Sequence, residues 1–203
     1  MLEGFANGEL FLEERAQGSR RRRIRGKFPY RKRAVLSDGG RTGRPRKEVF
    51  EPRAFAYNVT ANVDIRLLVG HDFGKPLASR GAGTLDLIDS AEALTFKAEI
   101  APELEEASWV RDFFAGFAAG LIMGISPGFR IPPARVAPDA EVIEEEDPAE
   151  GQALIRRIRE ALLFELSVVT APAYKEAELE EARSWERSQK PLAPPTHLAR
   201  WRL

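Results

Sequence analysis

Three residues in separate segments of this 203-residue chain have types that could act together in chemistry. Ser126 sits in Gly124-Ile125-Ser126-Pro127-Gly128-Phe129, a serine between two glycines after a long apolar stretch. His71 follows an apolar run in Leu67-Leu68-Val69-Gly70-His71-Asp72-Phe73, 55 positions earlier. Glu165 lies within Phe164-Glu165-Leu166-Ser167-Val168-Val169, 39 positions after the serine. A hydroxyl is a poor nucleophile until a base takes its proton, and imidazole, with a pKa of about 6.5, suits that work near neutral pH. A carboxylate behind the imidazole would fix its tautomer and stabilise the cation that forms. Each residue also has a plain structural use: a histidine ending a strand, a serine in a turn, a glutamate on an exposed strand face. Asp72 is a second acid beside His71, but strand alternation points it the other way.

Gly124, Ser126 and Gly128 match the G-x-S-x-G elbow of α/β-hydrolases in letters only. In that elbow the residue after the serine donates its backbone N–H to the oxyanion. Here that residue is Pro127, which has no N–H. The elbow also needs its histidine after the acid, and the one histidine there is His197, in a Pro-rich tail. The oxyanion donors stay open: the Gly128 amide, or an amide or arginine elsewhere.

Composition narrows the chemistry. There are no cysteines and two histidines, so thiol nucleophiles, thiolate metal sites and multi-histidine sites are excluded, and no cofactor is expected. No apolar run approaches the roughly 18–20 residues of a membrane span, and the first residues lack signal-peptide order. The formal net charge is zero, yet fourteen Arg or Lys against one acid fall between Arg15 and Lys47, while five acids occupy the seven residues from Glu141 to Asp147. The chain is bipolar. The run Arg20-Arg21-Arg22-Arg23-Ile24-Arg25 marks residues 1–27 as a basic, disordered arm, or as an electrostatic handle for nucleic acid or an acidic protein surface.

The elements that must position the three residues are mostly strands. Arg33 to Leu36, the edge-like Glu48 to Pro52, Asp64 to Val69, Pro76 to Ser79, Thr84 to Ile88 and Ala93 to Ile100 are short and close together. They predict an antiparallel sheet or barrel rather than βαβ units. Val63, Ile65, Leu67, Val69 and His71 share one parity, which places His71 at the end of a buried face. Gly74-Lys75-Pro76 is expected to make the following turn. One helix is expected from Pro102 to Gly120, its Val110, Phe113, Phe114, Phe117, Ala118 and Leu121 covering a sheet. Glu141 to Glu150 reads as a surface loop or hairpin. A strand is favoured over Leu162 to Thr170, where Glu165 shares a face with Ser167 and Val169. A charged helix from Tyr174 to Gln189 and a Pro-rich end follow; 179–203 is expected to be a helix end and flexible tail.

Three blocks together resemble the prohead (capsid maturation) proteases of HK97-like tailed phages, which are similar in fold to herpesvirus assemblins. They are Glu48 to Phe55 with Asp64 to Asp72, Gly124 to Phe129, and Leu163 to Tyr174. The resemblance spans about residues 30 to 178. It implies an α+β fold, a small mostly antiparallel β-barrel with flanking helices, with a serine protease domain over 28–178. It implies His71 as general base and Ser126 as nucleophile. Assemblins use a second histidine as the third member; the matched region offers none, so Glu165 takes that place, with Asp72 as the weaker candidate. It also implies an endopeptidase that enters the assembling procapsid in the bacterial cytoplasm. There it would cut the scaffolding segment of the major capsid protein, and itself. Self-association is an open expectation. The alternatives are a non-catalytic assembly or scaffold-like capsid protein of the same fold, and a nucleic-acid-binding module using the basic arm.

Overall fold

The computed structural model describes residues 9–13, 22–122 and 124–170, with the backbone alone described for 9–13. In chain order the strands are β1 (Glu9–Glu13), β2 (Arg22–Pro29), β3 (Arg33–Ser37), β4 (Arg46–Phe50), β5 (Arg66–Val69) and β6 (Asp72–Ser79). They continue with β7 (Leu85–Asp89), β8 (Ala93–Ile100), β9 (Gly124–Arg130), β10 (Glu141–Glu145), β11 (Leu154–Ile158) and β12 (Leu162–Val169). Helix α1 spans Ala56–Thr60 and α2 Ser108–Ala118, the latter preceded by a 3₁₀ turn, Pro102–Glu106.

These strands form three four-stranded sheets, ordered β1-β2-β8-β7, β10-β11-β4-β3 and β6-β5-β12-β9. The α+β expectation holds as a mostly β fold with two helices. The expected barrel does not: no sheet closes among the described residues. Most pairs are antiparallel, but β11 runs parallel to β4 and β12 parallel to β5. Parallel partners require long crossovers, and here the intervening chain builds other sheets.

The sheets meet on phenylalanine rings, one from each. Phe28 of β2 and Phe50 of β4 stand edge-on at 5.3 Å, and Phe50 and Phe129 of β9 at 5.1 Å. Phe55, before α1, touches all three at 5.2–6.3 Å. Each such pair adds about 0.5–1.5 kcal/mol beyond area burial. Ser126 and Glu165 therefore belong to strands anchored directly in the core.

Several local expectations are corrected. Arg22 to Lys27, assigned to a disordered arm, lie in β2, paired with β8 from Arg22↔Ile100 to Pro29↔Ala93. Alternation resolves the charge problem: Ile24 and Phe28 are buried while Arg23 pairs with Glu99 at 2.9 Å. Arg22 reaches Glu105 at 3.4 Å and covers the Phe114 ring. Residues 1–8 and 14–21 of that arm, and the helix and tail expected after 174, lie outside the described residues. β4 is interior, between β11 and β3; Pro52 falls beyond its last paired residue, so no ladder N–H is lost. The helix expected over 102–120 is interrupted at Ala107, whose extended backbone (ψ 134°) starts α2 and whose carbonyl accepts from Val110 and Arg111 N–H. Gly120 does end it, with Leu121 N–H on the Gly116 carbonyl and Gly120 N–H on Phe117. Leu121 itself is exposed.

Part of the bipolar charge is matched internally among the described residues. From the basic stretch, Arg44 pairs with Glu145 at 2.9 Å and Lys47 with Glu146. On the same sheet Arg156 pairs with the buried Glu48 at 2.8 Å. Burial pushes the Glu48 carboxyl up to about 7 despite the guanidinium beside it. The acidic stretch is the hairpin half β10, antiparallel to β11.

Candidate active site

The third sheet carries all three candidate residues. Its central strands are β5 and β12, with β9 on one edge and β6 on the other. In the β9–β12 pair, Ser126 stands directly opposite Ser167 and Gly128 opposite Glu165. Directly opposed residues share a face, with Cα atoms about 4.5–5.5 Å apart. So Ser126, Gly128, Ser167 and Glu165 lie on one face. Ile125, Leu166 and Val168 lie on the other, in the core.

A bulge produces this division. The pairing steps from Leu163↔Phe129 directly to Glu165↔Gly128, leaving Phe164 unmatched. Unbroken alternation would put Leu163 and Glu165 on one face. The extra residue lets Leu163 stay in the core while Glu165 turns to the serine side. Bulges of this sort commonly re-aim side chains beside active sites.

His71 arrives from a tight hairpin, not from the end of an extended strand. Val69 pairs with Asp72, leaving Gly70 and His71 as a two-residue loop. Their φ values are +62° and +61°, the pattern of a type I′ turn, whose twist suits a hairpin. The turn expected at Gly74-Lys75-Pro76 is instead strand β6. Pro76 sits on this edge strand at a register irregularity, where a missing N–H is tolerated. A non-glycine residue in the left-handed region stores about 1–3 kcal/mol and persists where its surroundings hold it. Two contacts to β12 hold this one: Gly70 N–H on the Val168 carbonyl at 3.0 Å, and His71 N–H on Ser167 Oγ at 2.9 Å.

The turn brings the ring onto Glu165: Nδ1 lies 2.7 Å from Oε1. A carboxylate only accepts, so Nδ1 carries the proton of this bond and a neutral imidazole keeps its lone pair on Nε2. The other carboxylate oxygen, Oε2, accepts from Ser167 Oγ at 2.7 Å. Glu165 is 2% exposed, and each of its oxygens has a partner, as a buried charge requires. The His71 side chain is 23% exposed. The ring is thereby oriented, with Nε2 as the nitrogen that could take a proton.

Asp72, the weaker acid candidate, is turned away. Its Oδ1 accepts from Gly74 N–H at 2.8 Å and its Oδ2 lies 3.4 Å from Lys75 Nζ. The Gly74 bond first, and Lys75 with it, hold its carboxyl below the usual range. His197 lies outside the described residues.

Two residues on this face have roles that sequence reading missed. For Ser167 the sequence offers one signal, the parity that puts it on the Glu165 face. Gly128, a candidate oxyanion amide from the sequence, has a plain structural role in giving space. A Cβ there would lie 2.0 Å from Glu165 Oε1 and 2.6 Å from Cγ and Cδ. The carboxylate lies across the strand where a side chain would be. Gly128→Ala is therefore expected to displace Glu165 from His71. A misplacement of that size costs on the order of 100-fold in rate, and overpacking costs about 1–3 kcal/mol. Cleavage rate and melting temperature, measured together, check both; an unchanged rate would contradict the geometry.

The sequence matches the family described as caudovirus prohead serine protease over residues 38–191. Neither the curated proteins nor the solved structures contain a match.

Proposed function

We infer the chemistry of this site from one premise: the chain belongs to the caudovirus prohead serine protease family. Members are serine peptidases of phage capsid maturation. In our reading Ser126 is the nucleophile, His71 the general base and Glu165 the residue that orients it. The observation that carries this is the 2.7 Å contact of His71 Nδ1 with Glu165 Oε1, two residue pairs along the ladder from Ser126 and on the same face.

The reaction follows from the groups. Ser126 Oγ attacks the scissile carbonyl as its proton passes to His71 Nε2. Glu165 stabilises the imidazolium. The same proton then goes to the leaving amine, and an acyl-enzyme remains on Ser126. Water, deprotonated by His71, releases the acid. Pro127 cannot donate to the oxyanion, so the donors come from elsewhere. Ser126 is 1% exposed.

The proposed substrates are the scaffolding segment of the major capsid protein and the chain itself. The proposed place is the assembling procapsid in the bacterial host. No helix of the described residues is long and apolar enough to cross a membrane. Of the arginine run behind the nucleic-acid reading, Arg22 and Arg23 are engaged by Glu105, Phe114 and Glu99, while Arg20 and Arg21 lie outside the described residues.

Co-expression of the chain with the major capsid protein of the same locus tests this. Shortened capsid subunits, cut at one junction between scaffold segment and capsid domain, are expected. Full-length subunits in the presence of folded enzyme would contradict the reading.

A further inference from the structure

We propose that Ser167 is a positioning residue for the general base, fixing both the backbone and the ring of His71 through one hydroxyl. The inference rests on the assignment of His71, Ser126 and Glu165 made above.

The hydroxyl sits where two constraints meet. On one side it accepts from the backbone N–H of His71 at 2.9 Å. Its single proton is then committed to the other side, where it donates to Glu165 Oε2 at 2.7 Å. Glu165 Oε1 closes the circuit on His71 Nδ1 at 2.7 Å. Backbone, hydroxyl, carboxylate and ring thus form one loop of hydrogen bonds that begins and ends on His71.

Each bond removes a specific freedom. The parallel ladder between β5 and β12 reaches Val69↔Val168, and Gly70 N–H still finds the Val168 carbonyl. At His71 the chain has turned into the left-handed region, and the Ser167 side chain takes its N–H. That contact sets where the imidazole starts. The bond to Oε2 sets the rotation of the carboxylate, and so which oxygen meets Nδ1. Ser167 is 0% exposed, and water cannot substitute for it without a cavity. An alanine would leave a buried N–H and a buried carboxylate oxygen each short of a partner.

A purely structural serine would affect how much protein folds. A positioning serine affects the rate of each folded molecule. The test is the modification of Ser126 by a fluorophosphonate, an electrophile that labels activated serines, in the full chain. Rate constant and final extent are read by mass spectrometry. Ser167→Ala is expected to reach the wild-type extent about 10–100-fold more slowly, the loss expected of a catalytic group displaced by about 1 Å. Ser167→Thr, which keeps the hydroxyl, is expected to stay within about threefold of wild type. Wild-type kinetics in Ser167→Ala would overturn the proposal. So would a lower final extent at an unchanged rate, or a threonine variant as slow as alanine. Failure of the underlying assignment looks different: the wild-type chain itself would not be labelled at Ser126.

Discussion

Ser126→Ala is expected to leave co-expressed capsid subunits at full length while the variant folds and accumulates like wild type. The substitution removes one oxygen from a buried strand position, and that oxygen is not part of the three hydrogen bonds that join His71, Glu165 and Ser167. In serine proteases generally, loss of the nucleophile costs about 10⁶-fold in turnover, leaving only residual catalysis from transition-state binding. The stability cost is that of one hydroxyl, about 1 kcal/mol. Rate and melting temperature should therefore part company. Continued cutting by Ser126→Ala at a rate within tenfold of wild type would remove Ser126 from the mechanism. Cutting abolished together with folding would be uninformative for alanine, and Ser126→Cys then supplies a similarly sized substitute with a different nucleophile.

Glu165→Gln is the second large effect, and its sign follows from hydrogen-bond bookkeeping. The glutamine is nearly isosteric, so it fits beside Gly128 as glutamate does. Ser167 Oγ has its proton to give and requires an acceptor. The amide oxygen must take that position, which turns the NH₂ group toward His71 Nδ1. That nitrogen must then accept, so the ring proton moves to Nε2, and the base is lost in the neutral form. A wrong tautomer of this kind lowers turnover by about 10⁴-fold with geometry intact. Single-turnover cleavage measures the loss, and nitrogen-15 chemical shifts of the imidazole report which nitrogen holds the proton. A rate within threefold of wild type would show that Glu165 does not orient the base.

The three proposed site residues were legible because each lies in a short block with its own local pattern, and because parity put Glu165 on the Ser167 face. β8 was read with its observed ends, since two turn signals bound it. What could not be read was geometry set by partners. The turn at Gly70-His71 carries one glycine, whereas Gly74-Lys75-Pro76 carries stronger turn chemistry. The outcome was decided by β12, which accepts both loop N–H groups. The bulge at Phe164 has no composition signal in a run of apolar residues; it exists because β9 presents Gly128 where Glu165 must lie. The arginine run hid a strand because charge masked the alternation of Ile24, Gly26 and Phe28. Closure into a barrel is a long-range property, and neither parallel pair announces itself in the sequence.

The placement of β12 between β5 and β9 has a consequence for timing. His71 is 94 positions from Glu165 and 96 from Ser167 in the chain. Contacts of such separation form late, because loop closure must precede any reward from pairing. β12 is the last of the described strands to leave the ribosome, and until it docks, the hairpin carrying His71 and the strand carrying Ser126 have nothing between them. A chain that ends before β12 lacks both Glu165 and Ser167. Under the proposed assignment, the order of synthesis places the two residues that hold His71 after every other described strand.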